Sequence, residues 1–216
     1  MRFPQISPAS LSRRRALSLS VGATAAAVTA FLPETASAAN FSRVVIDPGH
    51  GGKDPGSRWY GITEKDITLD VAKRLSEVFQ GKNIPSVLTR TTDSYLTLEQ
   101  RAIKSNKYSD AVLVSIHFNA HTNRSIKGIE TFYYPGSASG RLLAGKVQKE
   151  LGARISNTNN RGIKAGRMKV LRLTKHPAIL VECSFLSNRW ECQRCAASWY
   201  RQIIAEEIAE GILNYR

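Results

Sequence analysis

The chain reads Val44-Val45-Ile46, a β-branched run, and then Asp47-Pro48-Gly49-His50-Gly51-Gly52, a turn-forming cluster. That pattern predicts a buried strand opening into a loop that carries a histidine. From Glu64 to Gln80 the apolar positions Ile67, Val71, Leu75, Val78 and Phe79 recur at helical spacing, and Gly81 is a natural stop. Pro85 to Thr89 reads as a second strand, Leu98 to Tyr108 as a helix, and Ala111 to Ile116 as a third buried strand running into His117. Gly128 to Tyr134 alternates enough to be a strand, and Arg141 to Ile155 reads as a helix. Lys169 to Leu173 and Pro177 to Val181 read as strands, the latter leading into Glu182, and Arg189 to Leu213 reads as one closing amphipathic helix. Strands alternating with helices predict a single α/β domain: a twisted, mainly parallel sheet with helices on both faces.

The length of 216 residues fits one domain with a real core. The first 38 residues do not share its pattern. Arg2 and Arg13-Arg14-Arg15 form a basic head, Ala16 to Leu32 carries no charge, and Ala36-Ser37-Ala38 supplies the small residues that a signal peptidase accepts. Ser12 to Leu17 also resembles a twin-arginine export signal. We therefore expect residues 1–38 to be a removed export signal and 39–216 to be the working domain, acting in the periplasm or cell envelope. An uncleaved anchor is the alternative, but Ala16 to Leu32 is weakly apolar and shorter than the roughly 20 residues that span a bilayer.

Four Arg against Glu34 make the leader +3, so it accounts for little of the net charge of +14 and leaves +11 on the rest. Such a charge favours a polyanionic neighbour, and an export signal makes nucleic acid the least fitting one. Basic residues thicken from Arg154 through Arg161, Lys164, Arg167 and Lys169 to Arg172. Two readings stay open for them: a solvated basic face, or a carboxylate-binding surface. Cys192 and Cys195 could form a tight disulfide in an oxidising compartment, with Cys183 left buried and reduced.

His50, His117 and Glu182 stand out because each follows a buried strand, and α/β sheets gather ligands beyond the carboxyl ends of their strands. Each alone is weak; three together point to a site. Glu64, at the start of its helix, reads by position as a dipole-favoured residue, with Thr63 and Asp66 as an approximate capping box. Asp47 and Asn119 are candidates to orient ligands from behind. His121, in a polar loop, and His176, before Pro177, take no assigned role. Cys183 follows Glu182 on a strand, so its side chain should point to the opposite face.

Val45 to Gly52, Glu64-Lys65-Asp66, Ser115 to Ala120 and Val181 to Asn188 together resemble, in order and separation, the signatures of the zinc-dependent N-acetylmuramoyl-L-alanine amidases of the amidase 3 type. The resemblance covers the chain from about Ser42 onward. It implies that His50, Glu64 and His117 hold one zinc ion and that Glu182 is the catalytic carboxylate. Phe118, where a small residue is common, and Cys183-Ser184 depart from the usual pattern without touching a ligand. Two imidazoles and a carboxylate make a catalytic type of zinc site with a position left for water. The implied reaction is hydrolysis of the amide between N-acetylmuramic acid and the first L-alanine of a peptidoglycan stem. Another zinc hydrolase of the wall, or a non-catalytic wall-binding module, is the alternative. The span between His117 and Glu182 leaves no room for a separate occluding helix, so we expect an open site on a monomer, with the basic surface turned to the wall polymer.

Overall fold

A computed structural model describes residues 40–216; the export signal expected over 1–38 lies outside the described residues. The run Arg43–Pro48 forms β1, buried along almost its whole length, as a strand covered on both faces must be. A small antiparallel pair follows, β2 (Arg58–Trp59) and β3 (Ile62–Thr63), and then α1 (Glu64–Gly81). Next come β4 (Ser86–Leu88), α2 (Leu98–Ser105) and β5 (Ala111–Asn119). The second half supplies β6 (Ile129–Tyr133), α3 (Ala138–Arg154), β7 (Asn160–Ala165) and α4 (Lys169–Leu173). The chain closes with β8 (Ala178–Phe185), α5 (Arg189–Ala196) and α6 (Ser198–Leu213).

Six strands line up in the order β4-β1-β5-β8-β6-β7, with β6 antiparallel to β8 and every other pairing parallel. The mainly parallel sheet and helices on both faces match the expectation. Side chains alternate across the sheet. Val44, Ile46, Val112, Val114, Ile116, Ile179 and Val181 join the larger core cluster, which takes in residues of α1, α3 and α6. Val45, Leu113, Ala178 and Leu180 face the other way, with Val170 and Leu171 of α4. This second, thinner face carries the site.

Three expectations about the elements are corrected, and one further strand is present. Lys169–Leu173 is a short helix, not a strand; its adjacent Val170 and Leu171 are both buried against the thinner face, which a single turn allows. Asn160–Ala165 is a strand that no apolar alternation announced, because it is an edge strand of polar, half-exposed residues. The closing helix is two helices, broken at the extended residue Ala197. Glu191 explains the direction of the first: buried, it accepts from Gly128 N and Phe185 N, tying α5 to the end of β8 while α6 packs on α1 and α3. Thr63 occupies the N-cap position of α1 without a side-chain cap; the capping box sits on α2, between Thr97 and Gln100. Of the two states left open for Cys192 and Cys195, the structure has the free thiols, both within α5, with Cys192 Sγ reaching Trp59 O at 3.4 Å. Cys183 does point away from Glu182, into the larger core.

Candidate metal centre and cleft

His50 lies just beyond β1, whereas β5 and β8 run on past His117 and Glu182 to Asn119 and Phe185, so these two side chains lie within their strands rather than just after them. They are register partners, so their side chains share the thinner face, and Glu130 of β6 pairs with Glu182 on its other side. One row across the sheet therefore reads His117, Glu182, Glu130. Glu64 reaches this row from the first turn of α1.

One ligand atom each from His50, Glu64 and His117 lies within 4.8 Å of the others. Glu64 Oε1 is 2.9 Å from His50 Nε2 and 3.2 Å from His117 Nδ1, and it also accepts from Phe118 N at 3.1 Å. Its second oxygen accepts from Ser57 N at 2.8 Å. Burial opposes ionisation of Glu64, but hydrogen bonds and charge from His117 and His50 outweigh it and hold its pKa far below the ordinary value. Burial likewise lowers the proton affinity of His50, yet Glu64 and Asp54 together raise its pKa.

His50 Nδ1 donates to Asp54 Oδ2 at 2.9 Å, and Asp54 Oδ1 accepts from Gly56 N. With Nδ1–H committed to Asp54, Nε2 of a neutral His50 presents a lone pair to Glu64 Oε1. Only a proton or a metal ion between them relieves that repulsion. This donor set fits a divalent zinc-type ion, and Asp54 is the outer carboxylate that fixes the tautomer of such a ligand. A Cβ at Gly49 would stand 2.4 Å from His117 Cε1, so only glycine lets the ring lie on that loop.

His50 adopts φ +60°, a left-handed conformation uncommon for a non-glycine residue. Two buried arginines hold the loop there. Arg101 donates to Pro48 O at 2.6 Å, His50 O at 2.6 Å and Asp47 Oδ1 at 2.8 Å. Arg90 donates to Pro48 O, Gly49 O and Lys65 O. Among the described residues Asp47 reaches the loop through Arg101, and its other hydrogen-bond partners are Thr89 and Ser115. Asn119 also turns elsewhere, donating to Glu130 Oε1 at 2.9 Å. His121 and His176 stand outside the donor cluster.

Beside these groups a cleft of about 480 Å³ runs over the thinner face, floored by Asp47, Ser115 and Leu180 and walled by Tyr95, Leu98 and Val170. Among the described residues the Oε2 atom of Glu182 is buried without a hydrogen-bond partner. Burial, then the negative charges of Glu64 and Glu130, push the Glu182 pKa well above the ordinary value.

Comparison with known proteins agrees with this geometry. The family described as N-acetylmuramoyl-L-alanine amidase matches residues 44–214. The chain belongs to the amidase 3 family. Among its relatives is the N-acetylmuramoyl-L-alanine amidase LytC of Bacillus subtilis, 32% identical over 174 residues, which cover 80% of this chain but 35% of LytC. The chain thus spans about a third of that relative. An N-acetylmuramoyl-L-alanine amidase of Clostridium difficile 630 superposes with a TM-score of 0.77 at 40% identity, covering 82% of this chain and 97% of that one. The amidase AmiC2 of Nostoc punctiforme gives 0.76 at 38%, covering 80% and 96%. Both share the mostly parallel sheet and its helices.

Sequence reasoning named the three donors and Glu182 but missed Asp54, Arg90, Arg101 and Glu130. The arginines were hidden because a buried arginine is exceptional, and nothing in local spacing marks one. Asp54 had a faint signal, a carboxylate four residues after a loop histidine.

Proposed function

We propose that this family member hydrolyses the amide between N-acetylmuramic acid and the first L-alanine of the peptidoglycan stem, with one zinc ion held by His50, Glu64 and His117. Zinc bound there supplies the Lewis acidity that makes water a nucleophile near neutral pH and offsets the charge developing on the carbonyl oxygen. Glu182 takes a proton from the attacking water and returns it to the departing alanine nitrogen. The observation that carries this reading is the Glu182 carboxyl: register partner of His117, on the same face, with Oε2 buried and unbonded. Its raised proton affinity suits a group that must accept a proton and then release it. Asp54 orients His50, and Arg101 and Arg90 keep the loop rigid.

His50 and His117 remain 22% and 19% exposed, which supports an open site that substrate reaches directly. Among the described residues no helix is long and apolar enough to cross a membrane. We place the working protein in the periplasm or cell envelope, as an exported monomer on the wall polymer.

The test is digestion of purified peptidoglycan by protein lacking residues 1–38. A new L-alanine amino terminus, lost with chelator and regained with zinc, is the expected result. Released acetate, or a cut inside the stem peptide, would move the chain to a different wall hydrolase.

A further inference from the structure

The basic stretch from Arg154 to Arg172 divides in the fold. Arg154 turns to Glu207 of α6, and Arg172 lines a separate pocket with His176. Arg161 and Lys164, on the edge strand β7, go to the row of site carboxylates instead. Both pair with Glu130 Oε2, Arg161 through Nε at 2.7 Å and Lys164 through Nζ, while Asn119 holds the other oxygen. Glu130 is 3% exposed, so it is a fixed anchor rather than a solvated partner. Burial opposes its ionisation, but the two cations outweigh that and keep it charged.

One carboxylate against two cations leaves a positive excess. It also leaves donors unused. Among the described residues the terminal amino groups of Arg161 have no hydrogen-bond partner, and its guanidinium lies 5.0 Å from the centre of the Phe185 ring. A lysine ammonium has three donors, and Lys164 spends one on Glu130. The two side chains are 31% and 38% exposed. The result is a pre-aligned fork beside an ammonium, the arrangement that binds carboxylates through paired charge-assisted hydrogen bonds.

We propose that Arg161 and Lys164, braced by Glu130, form a subsite that binds a carboxylate of the stem peptide on the departing-amine side of the bond. This rests on the amidase reading above. Strands lie about 4.8 Å apart, so β7 is roughly 14 Å along the sheet from His117. The side chains lean back toward Glu130, and an extended peptide covers about 3.3–3.6 Å per residue. The subsite therefore meets a group about two to three residues past the cut. The glycan side offers no carboxylate there, since the lactyl carboxyl is in the scissile amide itself. The peptide side does: the free α-carboxylate of the second, D-glutamyl residue.

The experiment compares two N-acetylmuramoyl peptides that differ only in whether that carboxylate is free or amidated, using zinc-loaded protein. Wild type should favour the free acid by about tenfold or more in kcat/KM, and Arg161→Gln and Lys164→Gln should each bring the ratio toward one. A merely structural role would lower both rates together and leave the ratio unmoved; an unmoved ratio in both variants, or a wild-type ratio near one, overturns the subsite. Calorimetric binding of the two stem peptides without the sugar separates this from the amidase reading. Acid-dependent binding without any cleavage sinks only the amidase assignment. Binding indifferent to the carboxylate sinks the subsite even if cleavage is intact. Arg161→Lys keeps the charge on Glu130 and loses the fork, and should retain the fold with a reduced ratio.

Discussion

An unbonded buried carboxylate oxygen costs free energy, and Glu182 keeps one at Oε2 while Glu64 and Glu130 add like charge nearby. Glu182→Gln removes that charge in the same volume. Wall hydrolysis should fall by about 10²–10⁴-fold with zinc content unchanged and with a melting temperature equal to or above wild type. Turnover close to wild type would take Glu182 out of the reaction. Asp54 acts differently, because its oxygen receives the Nδ1–H of His50. Asp54→Asn should weaken zinc affinity by about 10–100-fold, read by titration with a competing chelator. An unaltered affinity would leave Asp54 as a loop residue only.

Helices and loops show where local rules hold and where packing overrides them. Helix α2 carries the capping box of Thr97 and Gln100, and that box aims Arg101 under the histidine loop. Arg101→Met would leave Asp47, itself 1% exposed, without its cation, orphan the carbonyl of His50, and leave that of Pro48 to Arg90 alone. The expected loss is about 3–5 kcal/mol, seen as a lower denaturant midpoint, together with weaker zinc retention. The start of α6 has the opposite problem, since Ala197 sits at the N-cap with extended backbone and no side-chain acceptor. Ala197→Ser should add about 1 kcal/mol of stability in the same measurement with activity unaltered. No gain would mean that α6 begins elsewhere in solution.

Across the whole molecule, α1 and α6 are joined on one side of the sheet by Asp70, which accepts from Arg74 Nε at 2.7 Å and Arg201 Nε at 2.5 Å. Burial opposes its ionisation, but both arginines outweigh it and lower the Asp70 pKa below its unfolded value. A carboxylate depressed in the folded state stabilises fully above its unfolded pKa of about 3.9 and loses that contribution as pH falls through the folded value. Asp70→Asn should therefore be less stable than wild type at neutral pH, with the gap closing below about pH 4. A gap of constant size across that range would show that the pairs are screened. With its side chain 37% exposed, Asp70 should give a modest effect.

Period and punctuation along the chain were enough for the α/β class, the buried strands β1, β5 and β8, helix α1, and the positions of His50, His117 and Glu182 near strand ends. These are local properties: β-branched runs, helical spacing, and turn residues act over a few positions whatever the rest of the chain does. Tertiary structure alone decided that α4 is helical, that β7 pairs at the edge, and that the last helix breaks at Ala197, because each depends on which neighbour the segment covers. It also decided what surrounds the donors. Arg90 and Arg101 come from segments about 40 and 50 residues beyond the loop they hold, and Glu130 meets Arg161 and Lys164 only through strand register. Buried charge is costly unless it is paired, and pairing between distant segments leaves no periodic trace in the order of residues.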